Sequence, residues 1–121
     1  MTVQDPRAEE TIALSASQPA AGVTVLAVSG EVDMSNSRKL RETLLDLIRR
    51  RNHKKLIVNL AGVPSMDSSG IATLMETLHE VRKIGGEIIL VGVHETLRGV
   101  LSLTGLLGVF DIRPSVSDAL N

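Results

Sequence analysis

The chain contains no cysteine. Disulfides, thiol nucleophiles, thiolate metal sites and iron–sulfur clusters are therefore all excluded as its chemistry. Aromatic residues are almost as scarce: Phe110 stands alone, with no Trp and no Tyr. A stacking platform for single-stranded nucleic acid needs several such rings, so that function is not expected. Neither sign of charge is in excess, since 13 basic residues face 14 acidic ones for a net charge of -1. That balance leaves no basic footprint for a phosphate backbone, and no nucleic-acid partner is expected. No apolar run approaches the length of a membrane span, and no membrane insertion is expected. The first six residues lack both a basic n-region and an apolar h-region, so they do not read as a signal peptide. A cytoplasmic protein is the expectation.

What is present fits one domain. The 121 residues are 43% hydrophobic and 22% charged, enough for a single core. Residues 1–10 are polar, carry Pro6 and have no period, and read as a mobile tail. The domain proper is expected over residues 11–121. Residues 11–15 alternate weakly as an edge strand, residues 18–22 form a turn, and residues 23–29 alternate as a second strand. Short strands joined by a turn imply an antiparallel pair.

Beyond this hairpin the pattern becomes strand–helix–strand. Ser35 or Asn36 is placed to cap a helix whose apolar stripe is Leu40, Leu44, Leu47 and Ile48. Arg49, Arg50 and Arg51 in its last turn suit the negative end of the helix dipole. The basic stretch 49–55, which includes Asn52 and His53, reads first as a solvated helix end and second as an anion patch. Residues 56–60 form a buried strand. The next helix carries Ile71, Leu74, Met75, Leu78 and Val81 on one face and ends at Gly85-Gly86. Residues 87–91 are a strand, residues 95–103 a helix stopped by Gly105, residues 109–112 a last strand, and residues 115–120 a short closing helix. The fold class is α/β: a mixed sheet of about five strands, the first antiparallel and the rest largely parallel, with the helices mostly on one face.

Enzyme signatures are missing. There is no G-x-x-x-x-G-K-[ST] loop and no G-x-G-x-x-G after a strand. His53, His79 and His94 lie on separate elements without ligand spacing, so no metal site and no cofactor is expected. Ser68 lacks the Gly-x-Ser-x-Gly setting of a nucleophile elbow, and no motif supplies it with a histidine base. No catalytic residues are expected.

The segment that remains is Pro64-Ser65-Met66-Asp67-Ser68-Ser69-Gly70, between a buried strand and an amphipathic helix. It places Ser68 and Ser69 at a helix N-terminus, where backbone N–H groups are unpaired and negative charge is favoured. One reading is structural: Asp67 or Ser68 caps the helix, and Gly70 allows close helix–strand packing. The other is functional: two hydroxyls beside Asp67 and Gly70, flanked by Met66 and Ile71, form an accessible acceptor on an apolar rim. Phosphate there would meet favourable N–H groups and add about −1.5 to −2 charges to the surface.

Residues 63–72 resemble the signature of the bacterial anti-sigma-factor antagonists, which belong to the STAS domains, named for sulfate transporters and anti-sigma-factor antagonists. Three further segments carry the same resemblance. Gly30-Glu31-Val32-Asp33 is similar to the family's Gly-Glu-hydrophobic-Asp; residues 84–90 are similar to its helix-Gly-Gly-strand junction; residues 101–112, with Thr104-Gly105-Leu106 and Phe110, are similar to its ending. Together they cover the chain from about Gly22 onward.

The resemblance implies a partner-switching module rather than an enzyme. The unphosphorylated form binds an anti-sigma factor that is also an ATP-dependent serine kinase, and a sigma factor is freed. The kinase modifies the first serine after the Asp, here Ser68, and a serine phosphatase reverses it. Asp67, Ser69 and Gly70 form the shell around the acceptor, with Met66 and Ile71 beside it and Asp33 on the nearby recognition rim. Ser69 is also a hydroxyl and stays open as an acceptor. The alternative within the family is a STAS subunit of a signalling scaffold or of an ABC-type lipid transporter.

Overall fold

Alternating β-branched and aliphatic residues build the sheet, and the helices lie over it. The computed structural model describes residues 12–51 and 54–121. The expected tail over residues 1–10, Thr11, and Asn52 and His53 of the basic stretch lie outside the described residues. Five strands stand in sequence order: β1 (Ala13–Ala20), β2 (Val23–Ser29), β3 (Lys55–Gly62), β4 (Glu87–Val91) and β5 (Asp111–Arg113). The β1–β2 pair is antiparallel and every later pair is parallel. The described helices are α1 (Ser37–Arg51), α2 (Ser68–Lys83), α3 (Glu95–Leu103) and α4 (Val116–Leu120). None of them is long and apolar enough to cross a membrane.

Each crossover through α1, α2 and α3 moves the chain one strand further along the sheet. All three helices therefore cover the same face. Leu26, Val58 and Leu90 point into that layer with Leu40, Leu44, Leu74 and Leu101, all fully buried. Each such leucine contributes about 2 kcal/mol by leaving water. Val25, Ile57 and Ile89 point the other way and pack with Ala119 and Val116 of α4. Central β3 is thus covered on both faces, which is why Leu56-Ile57-Val58 reads as a continuous apolar run. Among the described residues the strand order never reverses, so their sheet has no switch-point crevice of the kind where doubly wound enzymes hold nucleotides.

Two expected boundaries are corrected. β1 does not end near Ser15 but runs through Pro19 to Ala20, and the turn shrinks to Ala21-Gly22, with Gly22 at φ +74. Pro19 is tolerated because β1 is an edge strand and its register slips between Ser17 and Ala20. β5 starts at Asp111 rather than at residue 109. The chain before it is still turning, with Val109 N–H bonded to the Leu106 carbonyl at 3.0 Å, and Phe110 is committed to the core. Basic residues in the last turn of α1 and after it are partly engaged in the fold. Arg50 pairs with Asp46 at 2.6 Å, and Lys55 donates to the Ala119 carbonyl at 2.9 Å.

Candidate functional site: twin aspartate turns

Parallel pairing of β2 and β3 sends both strands out of the sheet at the same end. Their exits stay joined. Gly30 N–H donates to the Gly62 carbonyl at 2.8 Å, Val32 N–H to Ser65 at 3.1 Å, and Asp67 N–H to Val32 at 2.9 Å. Val32 and Met66 form an isolated parallel bridge. The next residue on each chain is an aspartate, so Asp33 and Asp67 stand side by side.

The two aspartates build the same turn. Asp33 Oδ1 accepts from Ser35 N–H at 2.9 Å and from the Ser35 hydroxyl at 2.5 Å. Asp67 Oδ1 accepts from Ser69 N–H at 2.9 Å and from the Ser69 hydroxyl at 2.5 Å. Aspartate favours this arrangement because its short side chain reaches the backbone two residues on. The first turn is braced further by buried Asn36, whose Oδ1 accepts from Asp33 N–H at 3.0 Å and whose amide donates to the Glu31 carbonyl at 2.8 Å. Ser35, expected as a possible cap of α1, instead turns its hydroxyl back to Asp33, while Asn36 stands immediately before α1 and its carbonyl accepts from Lys39 and Leu40 N–H at 3.0 and 3.3 Å.

Asp67 is the N-cap of α2 and also accepts from Gly70 N–H at 3.3 Å. Its carboxyl is held below the ordinary 3.8 by the Ser69 hydroxyl first, against an opposing effect of burial, and then by the N–H groups of Gly70, Ser69 and Met34. This corrects the expected path for an added phosphate. The N–H groups of Ser69 and Gly70 are already taken by Asp67, so a group on Ser68 projects outward beside a carboxylate.

A depressed carboxyl pKa stabilises the fold above the unfolded pKa, and the contribution is lost as pH falls through the folded value. Asp67→Ala is expected to melt below wild type at pH 7. The gap should narrow as pH falls through the folded-state pKa of Asp67. Thermal melts of both proteins across that range check this; a gap that persists unchanged in acid contradicts it.

The two serines differ. Ser69 is half-buried and its hydroxyl is held by Asp67. Ser68 is exposed, and among the described residues its hydroxyl carries no hydrogen bond. Gly70 is buried against Val32 and Met66, and a Cβ there would stand 2.3 Å from Met66 Cγ. Met66 and Ile71 do not form an exposed rim. They are 6% and 9% accessible and belong to the core, Met66 from the Val32 bridge ahead of the helix and Ile71 from the first turn of α2. The exposed apolar residue is Met34, at 82%, on the Asp33 turn. Its signal in the sequence was an apolar residue inside an otherwise polar Asp-Met-Ser-Asn turn that repeats the Asp-x-Ser spacing of Asp67.

Beside Ser69 an open groove of about 310 Å³ runs between α1 and α2, lined by Ser37, Arg38, Arg41, Thr73 and Glu76 among others. Arg41 bridges it in a two-pronged pair with Glu76, at 2.5 and 2.9 Å, which raises the arginine pKa and lowers that of the glutamate. The pair is half exposed and contributes little to stability.

Neither described histidine is hydrogen-bonded to Ser68. His94 Nε2 lies 2.6 Å from the Ala61 carbonyl, and exposed His79 sits about 16 Å further along α2 at 1.5 Å per residue. Among the described residues no group of three His, Cys, Asp or Glu side chains is placed to hold a metal ion.

Comparison with known proteins gives a consistent picture. A family model described as the STAS domain matches residues 16–119. An anti-sigma-B factor antagonist of Bacillus subtilis is 33% identical over 70% of this chain and 76% of its own. An anti-sigma F factor antagonist of Paenibacillus polymyxa is 27% identical over 82% of this chain and 85% of its own. Among solved structures, an anti-sigma factor antagonist from Mycobacterium paratuberculosis superposes with a TM-score of 0.81 at 28% identity, covering 92% of each chain.

Proposed function

Because the chain belongs to the STAS domain family, we propose that it is an anti-sigma-factor antagonist switched by phosphorylation of Ser68. In its unphosphorylated form it holds an anti-sigma factor through the surface around the twin turns, and a sigma factor is released. The anti-sigma factor is also a serine kinase: the Ser68 oxygen attacks the γ-phosphorus of ATP, the hydroxyl proton leaves, and ADP departs. The phosphoserine separates the complex until a serine phosphatase hydrolyses the ester. The protein itself supplies a surface and an acceptor, with no catalytic group of its own.

The observation that carries this reading is the contrast between the two hydroxyls. Ser68 is exposed and unbonded, while Ser69 donates to Asp67 and would have to surrender that bond to be modified. The same contrast favours Ser68 over Ser69 as acceptor. It also favours a phospho-switch over a scaffold or transporter subunit, neither of which requires a free hydroxyl at this point. Incubation with the anti-sigma factor kinase and ATP, followed by mass mapping, is expected to find one phosphate on Ser68 and none on Ser68→Ala. Phosphate on Ser69 alone, or on neither serine, overturns the assignment.

A further inference from the structure

Four large hydrophobic side chains are exposed among the described residues: Met34, Ile84, Leu103 and Leu120. Three of them sit at the C-terminal ends of α2, α3 and α4. Those helix ends lie at the edge of the sheet where the parallel strands begin. Met34 alone is at the opposite edge, on the turn that adjoins Asp67 and Ser68. An isolated exposed apolar residue is ordinary on a protein surface. One held on a rigid turn against the switch residue is not explained by chance exposure.

The turn that carries Met34 is ordered before any partner arrives. Asp33 and Asn36 fix the backbone on either side of it, and the Val32–Met66 bridge holds it beside the Asp67 turn. The fold gains nothing from this side chain, since 82% of it stays in water. A contact that buries it therefore recovers apolar area while ordering only the side chain itself, which is the condition under which a residue contributes strongly to affinity.

Resting on the function proposed above, we infer that Met34 is the apolar anchor of the interface and inserts into a hydrophobic socket on the anti-sigma factor. The unbranched thioether side chain adapts to such a socket. One contact then covers Met34 and Ser68 together, because the Val32–Met66 bridge and the Asp67 N–H bond to Val32 join their two turns. A phosphate on Ser68 must be desolvated beside a seated apolar group, so the anchor is what makes the site intolerant of charge.

The test uses the full chain and the anti-sigma factor kinase that binds it, with affinities read by calorimetry. Met34→Ala is expected to lose about tenfold to a hundredfold in affinity with an unchanged melting temperature. Met34→Leu should recover affinity to within about threefold of wild type, since volume and apolar character are kept. Leu103→Ala, which truncates the residue 91% exposed at the far edge, should bind as wild type does. If Met34→Ala binds as tightly as wild type while Ser68→Asp binds weakly, the anchor is wrong and the switch stands. If wild type fails to bind any serine-kinase anti-sigma factor of its own genome, the proposed function falls and the anchor falls with it.

Discussion

Ser68→Asp is expected to bind the anti-sigma factor about a hundredfold more weakly than wild type while melting at nearly the same temperature. The two halves of that result have separate causes. Ser68 is exposed and unbonded, so replacing it removes no contact within the fold. In the proposed complex the same position is covered, and a carboxylate left there without a cation would cost several kcal/mol. Asp67 adds to the cost. Its carboxylate is kept ionised by the Ser69 hydroxyl and neighbouring N–H groups, and a second negative charge one residue away is repelled. A phosphoserine carries about −1.5 to −2 charges, and a loss of about 4 kcal/mol would be a thousandfold in affinity. Ser68→Ala should bind as wild type does and remain bound in the presence of ATP.

Gly70→Ala should be the most damaging small substitution at the site. The added Cβ would lie 2.3 Å from Met66 Cγ and 2.8 Å from Val32 Cγ1. Neither atom can step aside freely. Met66 is buried in mid-chain contact, Val32 is stiff at χ1, and the two are joined by the bridge that aligns the turns. Overpacking of this kind costs about 1–3 kcal/mol, or a fall of about 4 °C in melting temperature for each kcal/mol in a domain of this size. Relief by tilting the start of α2 would also move Ser68, so kinase modification should slow. Gly99→Ala is the internal contrast. Gly99 lies on the exposed face of α3 with open space around it, and there the same change should raise stability by about 0.5–1 kcal/mol through helix propensity. Melting curves showing the same sign at both glycines would contradict this account of the packing.

The elements that could be read from the sequence were those whose pattern is set locally. The spacing of Leu74, Leu78 and Val81, the alternation of residues 23–29 and the Gly85 stop all follow from one element's own period and cap. What could not be read was set by neighbours. Pro19 signals a turn, and only its place on an edge strand lets β1 continue through it. Met66 and Ile71 flank the serines in the sequence, yet the bridge to Val32 puts the first into the core and the direction of the first turn of α2 puts the second there. The twin turns needed knowledge that β2 and β3 leave the sheet side by side. Without it, Asp33 and Asp67 are two distant residues, and the repeated Asp-x-Ser spacing that marks Met34 has no spatial meaning. The family resemblance placed Asp33 near the site but said nothing of the residue after it.

The central claim is that one phosphate on Ser68 abolishes binding without disturbing the fold. The most direct measurement is the affinity of the anti-sigma factor for the unphosphorylated protein and for the same protein stoichiometrically phosphorylated on Ser68, with amide hydrogen exchange of both forms. The account predicts a loss of about a thousandfold in affinity, with α2 and the Asp33 turn equally protected in the two forms. Equal affinity for both forms, or loss of protection in α2 on phosphorylation, would contradict it.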